Sequence, residues 1–124
     1  MSEPEIKEND LFKLLRQGHI DEFNQRVANG ETCDLTGGDF RGSDLRKLNA
    51  RGLDLSNCYF RQTDLRGIDL SETNLEGASI SGAKISGTYF PKELRAEEIL
   101  LSLTHGTRLR YMRLKINVNK LKVD

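Results

Sequence analysis

Apolar residues recur every five positions between residues 33 and 92. Written in fives, this stretch reads CDLTG GDFRG SDLRK LNARG LDLSN CYFRQ TDLRG IDLSE TNLEG ASISG AKISG TYFPK. The third residue of every block is apolar, and the first is small or apolar. None of these 24 positions is charged, although charged residues make up 31% of the chain. The pattern is therefore a sequence repeat with a fixed register.

A period of five fits neither a helix nor a straight strand. On an α-helix, with about 100° between successive residues, positions five apart differ by about 140° around the axis. Apolar residues at this spacing would therefore point in many directions and form no single apolar face. On a strand, an odd spacing sends successive positions to opposite faces. The apolar side chains share one side only if the backbone turns after each block. Glycine, which tolerates positive φ, ends seven of the twelve blocks. The pattern predicts a chain that turns a corner every five residues around a shared apolar interior.

These blocks resemble the pentapeptide-repeat family, whose repeat runs small residue, Asp or Asn, Leu or Phe, polar residue, Gly. Asp or Asn is the second residue of eight of the twelve blocks. The resemblance implies a β fold, a right-handed four-sided β-solenoid with four repeats per coil. Residues 33–92 would then form about three coils, 33–52, 53–72 and 73–92. At a strand spacing of about 4.8 Å, the stack would be only about 14 Å tall.

The segments on both sides of the repeats are expected to cap the stack with helices, because uncovered coil edges pair with other chains. Residues 1–32 are interpreted as an N-terminal cap of two short helices, the second of which covers the first coil. The solenoid should end near Pro91, which can donate no ladder hydrogen bond. Residues 93–106 are interpreted as a C-terminal cap helix. Its apolar face would comprise Leu94, Ile99, Leu100 and Leu103.

Residues 107–124 form a basic tail in which apolar and polar residues alternate, a pattern typical of a half-buried strand. The tail holds six basic residues and one acidic residue in a chain whose net charge is zero. It could fold back on its own solenoid, form a homodimer, or bind nucleic acid or an anionic surface. We predict a homodimer, because a short capped solenoid leaves little surface to cover the apolar residues of the tail. Those residues are Leu109, Tyr111, Leu114, Ile116 and Val118.

The residue types that usually carry catalysis are not arranged for it in this sequence. His19 and His105 lie far apart in the sequence, and no Ser–His–acid set, phosphate-binding loop or metal-ligand spacing is present. The carboxylates mostly occupy the second position of the repeat. Cys33 and Cys58 occupy inward first positions and are interpreted as small buried hydrophobic residues. We therefore expect a non-enzyme with no catalytic residues, no cofactor and no metal.

The outward fourth positions carry the residues that could bind a partner. Arg41 and Arg61 are expected to stack on one face with Tyr59 beside them, and Arg46 and Arg66 on the neighbouring face. Stacked like charges about 5 Å apart repel each other. One interpretation is that the aspartates two residues upstream only neutralise these arginines. The other is a recognition surface for another protein, since tyrosine and arginine are enriched at interface hot spots.

Repeat solenoids mainly provide rigid recognition surfaces, so we expect a protein-interaction module that uses an outer face or the basic tail. The alternative within the family is a DNA-mimicking topoisomerase modulator of the quinolone-protection type. Such mimicry needs a long acidic rod, whereas this chain has arginine columns and no net charge. The N-terminus lacks a signal-peptide pattern, and no apolar run approaches the roughly 18 residues of a membrane span. We therefore expect the cytoplasm.

Overall fold

The computed structural model describes residues 3–112 and contains three helices. These are α1 (Asp10–Arg16), α2 (Ile20–Ala28) and α3 (Ala96–His105). Between α2 and α3 the chain winds through the repeats. Within the described residues, the pairing of neighbouring coils consists of isolated parallel bridges, and no continuous strand is formed. The β character predicted from the repeats is therefore present as single bridges.

The bridges in the repeat region join residues that lie twenty positions apart. Asp39 pairs with Tyr59, which in turn pairs with Ser79, and Asp44, Asp54, Asp64 and Asp69 follow the same spacing. Twenty residues are four blocks, so the chain completes one coil every four blocks. We number the four successive blocks of each coil as faces. Face one is 33–37, 53–57 and 73–77; face two is 38–42, 58–62 and 78–82; face three is 43–47, 63–67 and 83–87; face four is 48–52, 68–72 and 88–92.

The corners between blocks are tight turns closed by a backbone hydrogen bond. The N–H of each first residue donates to the carbonyl of the central residue three positions earlier, as Ser43 does to Phe40 at 3.0 Å. The fifth residue has positive φ in ten of the twelve blocks, for example 74° at Gly42 and 72° at Lys47, and the exceptions are Glu72 and Lys92. A positive φ at the third residue of a four-residue turn defines a type II turn, which favours glycine. This explains the glycine in the fifth position, and Lys47 shows that another residue can occupy it at some conformational cost.

The second position of the repeat stabilises the same corner from outside. In all eight blocks with Asp or Asn there, the side-chain oxygen accepts a hydrogen bond from the N–H two residues later. Asp54, for example, accepts from the N–H of Ser56 at 3.0 Å. This is the local bond of an Asx turn. The aspartates of the repeat are therefore structural residues that shape the corner.

The central residues form the core of the coils. Ten of the twelve are buried, and only Ile85 and Phe90, near the end of the third coil, are partly exposed. The rings of Phe40 and Phe60 stack with centroids 5.6 Å apart. First positions add buried hydrogen bonds between coils, such as the Thr63 hydroxyl donating to the carbonyl of Phe40 at 2.7 Å. This second role explains why small hydroxyl residues are common at an inward position.

Both N-terminal helices cover the first coil, whereas only α2 was expected to do so. Phe12 of α1 packs on Phe40 with ring centroids 4.9 Å apart. A Cβ at Gly38 would lie 2.7 Å from Phe12 Cε1, so this first position requires glycine. In α2, the Asn24 side chain donates to the carbonyl of Lys47 at 2.9 Å. Both helices were predicted, but the packing of α1 on the first coil was not, because a close approach between residues far apart in the sequence leaves no periodic signal.

The helix α3 covers part of the opposite edge, with a different face from the predicted one. The Ser102 hydroxyl accepts from the N–H of Ile80 at 3.0 Å, and the Leu103 carbonyl accepts from the N–H of Gly82 at 2.9 Å. These contacts place Ser102 at the centre of the buried stripe. Leu100 is 60% exposed, and Leu94 is buried but precedes the helix. The prediction of Leu100 on the buried face is therefore wrong.

Residues 107–112 are the described part of the predicted tail strand, and they form neither helix nor strand. Leu109 is fully buried. Its N–H donates to the carbonyl of Ala78, and its carbonyl accepts from the N–H of Gly77, both at 2.8 Å. The N–H of Met112 donates to the carbonyl of Glu93 at 2.8 Å. Leu109 and Met112 therefore pair with backbone groups near the end of the repeats through one or two hydrogen bonds each. Residues 107–112 form no continuous strand.

The buried register can be tested with neighbouring substitutions. Leu65→Asp places a charge without a partner in the core, so we expect the free energy of unfolding to fall by several kcal/mol, roughly the stability of a small domain. Arg66→Ser, one position later, removes an ion pair whose arginine is exposed and whose aspartate is buried, and should cost only about 1–2 kcal/mol. Urea unfolding followed by circular dichroism measures both. Equal losses would show that the inward and outward positions are assigned wrongly.

Candidate partner-binding groove

A groove with a volume of about 520 Å³ runs across face two. All three coils contribute to it, through Arg41 in the first, Arg61 in the second and Ser81 in the third. Pro4 lines it from the N-terminal segment, and residues 105–108 line it from the end of α3 and the start of the tail. The groove therefore joins one repeat face to both non-repeat ends of the chain.

Arg41 is neutralised within its own block. Its Nε and Nη2 atoms each donate to an Asp39 carboxylate oxygen at 2.8 Å. Arg16 of α1 also reaches Asp39, with Nη1 3.4 Å from Oδ1. The hydrogen bonds from Arg41 lower the pKa of the Asp39 carboxyl, which stays charged and is 6% exposed. Arg41 therefore brings little uncompensated charge to the groove.

Arg61 differs from the other arginines of faces two and three because its block has Tyr59 where they have aspartate. Within residues 3–112, no carboxylate lies within ion-pair distance of Arg61, which is exposed. The signal was visible in the sequence, since CYFRQ lacks the second-position acid of GDFRG, SDLRK and TDLRG. The sequence analysis grouped all four arginines together and missed this difference.

Arg108 is the functional candidate that the sequence analysis did not select. Its guanidinium carbon lies 5.1 Å from the centroid of the Tyr59 ring, within cation–π range. Its Nη2 donates to the Tyr59 hydroxyl, and its Nη1 donates to the carbonyl of Gly77 at 2.8 Å. Among the residues that the structure describes, no carboxylate pairs with Arg108. Arg108 lies over Tyr59, and Arg61 lines the same groove; neither guanidinium has a carboxylate within ion-pair distance in residues 3–112.

Arg46 and Arg66 lie on face three, apart from Tyr59, and both are paired. Arg46 donates to both oxygens of Asp44, at 3.0 and 2.7 Å. Arg66 donates to both oxygens of Asp64, at 2.9 and 2.7 Å. Hydrogen bonds from Arg66 lower the pKa of Asp64 to about 2. Of the five predicted partner-binding residues, the groove brings together Arg41, Tyr59 and Arg61 and leaves these two outside.

The comparison with known families identifies the repeats. A family model described as pentapeptide repeats matches eight copies, over residues 31–62 and 54–90. The chain is a pentapeptide-repeat protein. Repeats of this family generally form a β-helix or solenoid, and the family is generally non-enzymatic. Comparison with curated proteins and with solved structures finds no match.

Cys58 is a buried free thiol in this pentapeptide-repeat protein. Burial raises the pKa of the Cys58 thiol to about 12, and that thiol donates to the carbonyl of Leu35 at 3.1 Å. Between residues 3 and 112, no group of three or more His, Cys, Asp or Glu side chains is placed to hold a metal. In the same range, no helix is long and apolar enough to span a bilayer.

The predicted dimerisation residues fall in two groups. Leu109 and Tyr111 pack on their own chain. The Tyr111 hydroxyl accepts from the N–H of Leu75 at 2.8 Å and donates to the carbonyl of Thr73 at 3.3 Å. Leu114, Ile116 and Val118 lie outside the described residues. The contacts of residues 107–112 favour the interpretation that the tail folds back on its own solenoid, and the homodimer stays a prediction.

The tail contact can be tested by removing one hydroxyl. Tyr111→Phe leaves the N–H of Leu75 without an acceptor at a covered coil edge, which should cost about 1–3 kcal/mol of unfolding free energy. Tyr89→Phe is the matched control, because Tyr89 is 67% exposed and its loss of the same hydroxyl should have almost no effect. Chemical unfolding compares the two variants. A Tyr111→Phe variant as stable as the control would contradict the contact.

The Asp64–Arg66 pair predicts a specific acid sensitivity. The pKa of Asp64 is about 2 in the folded chain and about 3.9 in an unfolded chain. The unfolded state therefore binds the proton first, so the stabilisation is complete above about pH 4 and is lost as the pH falls through about 2. Between these values, Asp64→Asn should show a weaker loss of stability than wild type. Arg66→Gln, which keeps the carboxyl but removes its donor, should also flatten the pH profile. Slopes like that of wild type in both variants would show that the pair does not form.

Proposed function

We propose that this pentapeptide-repeat protein is a non-enzymatic interaction module that binds an anionic region of another protein through the face-two groove. One observation carries the proposal. Arg61 and Arg108 line the same groove as Tyr59, and neither has a carboxylate in ion-pair range among the described residues. The other arginines of faces two and three are neutralised by aspartates of the repeat, so Arg61 is the one described arginine of these two faces that has no carboxylate partner.

We propose that the scaffold behind the groove is a right-handed, four-sided β-solenoid of about three coils. The twenty-residue spacing of the bridges supports the four sides, and the family resemblance supports the hand. A stack of closed coils holds Arg41, Tyr59 and Arg61 on a surface that needs little reordering upon binding. Such preorganisation increases affinity because less conformational entropy is lost.

Tyr59 is suited to the centre of such an interface. It is half-buried, so its ring is held by the coil while one side remains accessible. Tyrosine and arginine dominate the binding energy of many protein interfaces because they combine a large contact area with directional hydrogen bonds. The same side chain also positions Arg108. Tyr59 therefore contributes both contact surface and the arrangement of charge.

The charge distribution favours a protein partner over the other candidates. An extended nucleic acid needs a continuous series of basic residues to follow its phosphates, whereas the arginines of face three are already paired. A DNA mimic needs a continuous acidic surface, and the aspartates on face three are paired with those same arginines. We place the module in the cytoplasm, which agrees with two cysteines that form no disulfide.

The proposal is tested by reversing one charge. Arg61→Glu should abolish capture of the partner from a lysate of the native organism, because it places a carboxylate in the groove. Arg95→Glu is the matched control, since Arg95 is also exposed and the variant has the same net charge. Both variants should melt within a few degrees of wild type. If Arg61→Glu captures the same proteins as the control, the groove is not the binding site.

A further inference from the structure

We infer that the face-two groove binds the phosphate monoester of a phosphorylated side chain in the partner protein. The inference rests on the proposed function and names the chemical group that the groove recognises. It is carried by the balance of charge along the groove and by the donors that are left open, and the pairing of the neighbouring arginines favours one phosphate over several.

The charge of the groove matches a dianion. Three arginines line it, and none of its lining residues is acidic. Asp39, directly behind the groove, neutralises Arg41. Two unbalanced positive charges remain, on Arg61 and Arg108. A phosphate monoester carries about −1.5 to −2 at pH 7 and can balance both. A single carboxylate would leave one guanidinium uncompensated, so a glutamate or aspartate in the partner is the poorer match.

The open donors of the groove suit the three oxygens of a phosphate group. Arg108 is held in place by Tyr59 and by the carbonyl of Gly77, and its Nε donor remains available. Arg61 makes no hydrogen bond with the described chain through its guanidinium, so its planar donor set is available for bidentate contact. The Ser81 hydroxyl lines the same groove. The guanidinium of Arg108 is held in place, whereas that of Arg61 can adjust its position. The two can thus contact a tetrahedral anion from two sides.

The pairing of the neighbouring arginines favours one phosphate over a chain of phosphates. On the neighbouring face three, Arg46 and Arg66 are each paired bidentately with a carboxylate. Beyond the groove on the other side, Arg110 pairs with Glu98, with Nη2 and Oε2 2.7 Å apart. A nucleic acid leaving the groove would meet these neutralised pairs within the described surface. A single phosphorylated side chain requires no further cations.

The experiment uses the full-length protein and three pools of random peptides that differ at one fixed central residue. Fluorescence anisotropy measures binding of the pools with phosphoserine, glutamate or serine at that position. We expect the phosphoserine pool to bind at least about tenfold more tightly than the glutamate pool, a difference of about 1.4 kcal/mol. The serine pool should bind more weakly still.

Two matched variants assign the binding to the groove. Arg61→Gln should reduce the affinity for the phosphoserine pool about tenfold or more, whereas Arg95→Gln should leave it unchanged. Arg61→Lys keeps the charge but loses the bidentate geometry, so an intermediate affinity is expected. In ¹H–¹⁵N spectra, the Nε–H signals of Arg61 and Arg108 should move on addition of O-phosphoserine.

The contrary outcomes distinguish a failure of the phosphate inference from a failure of the proposed function. Equal binding of the glutamate and phosphoserine pools would overturn the phosphate assignment and leave an anion-binding groove. Tighter binding of a single-stranded oligonucleotide than of the phosphoserine pool would overturn the inference in favour of nucleic acid. If no pool binds while Arg61→Glu still abolishes capture of the cellular partner, the inference fails and the proposed function stands. If that capture is also unaffected, both fail.

Discussion

The hydrogen bond that closes each corner is the interaction on which the rest of the structure depends. It runs from the first residue of one block to the central carbonyl of the block before, as from Ser43 to Phe40. With the chain bent at this interval, every central side chain faces inward and every fourth side chain faces outward. The Asx bond from the second residue supports the same turn. Coils then stack with residues twenty positions apart in contact, so the core and the outer columns both follow from one local geometry.

Stacking identical blocks brings like charges close together, and these charges are neutralised by residues of the same block. Arginines at fourth positions of one face lie on adjacent coils, and their repulsion is offset by aspartates two residues upstream. Face three shows the compensated arrangement, with Arg46 and Arg66 bound to Asp44 and Asp64. On face two, Tyr59 replaces one aspartate, so the local compensation of Arg61 is lost. A single departure from the repeat thus leaves one arginine of the column without its local carboxylate.

The ends of the stack are closed by side chains and backbone groups that take the place of a further coil. At the last coil, Ser102, Leu103, Leu109 and Tyr111 supply the oxygens that accept N–H groups of faces one and two. This closure has a consequence for binding, because the segment that leads to Leu109 carries Arg108 across the edge of face two. The cap therefore completes the groove, because the short segment that closes the edge of the last coil also lines it.

The sequence by itself determined the repeat register and the inward positions, because each corner depends only on residues within a few positions of it. The coil of four blocks was implied by the resemblance to the pentapeptide-repeat family, and the twenty-residue spacing of the bridges agrees with it. The pairing of aspartate with arginine could likewise be predicted from the sequence, since the partners are two residues apart. Only the tertiary structure decided which face of α3 is buried, that Phe12 packs on Phe40, and that Arg108 lies over Tyr59. Forty-nine residues separate Arg108 from Tyr59 along the chain, so no periodic pattern connects them. Their contact depends on how the caps fit the two ends of the coil, which packing between distant residues determines.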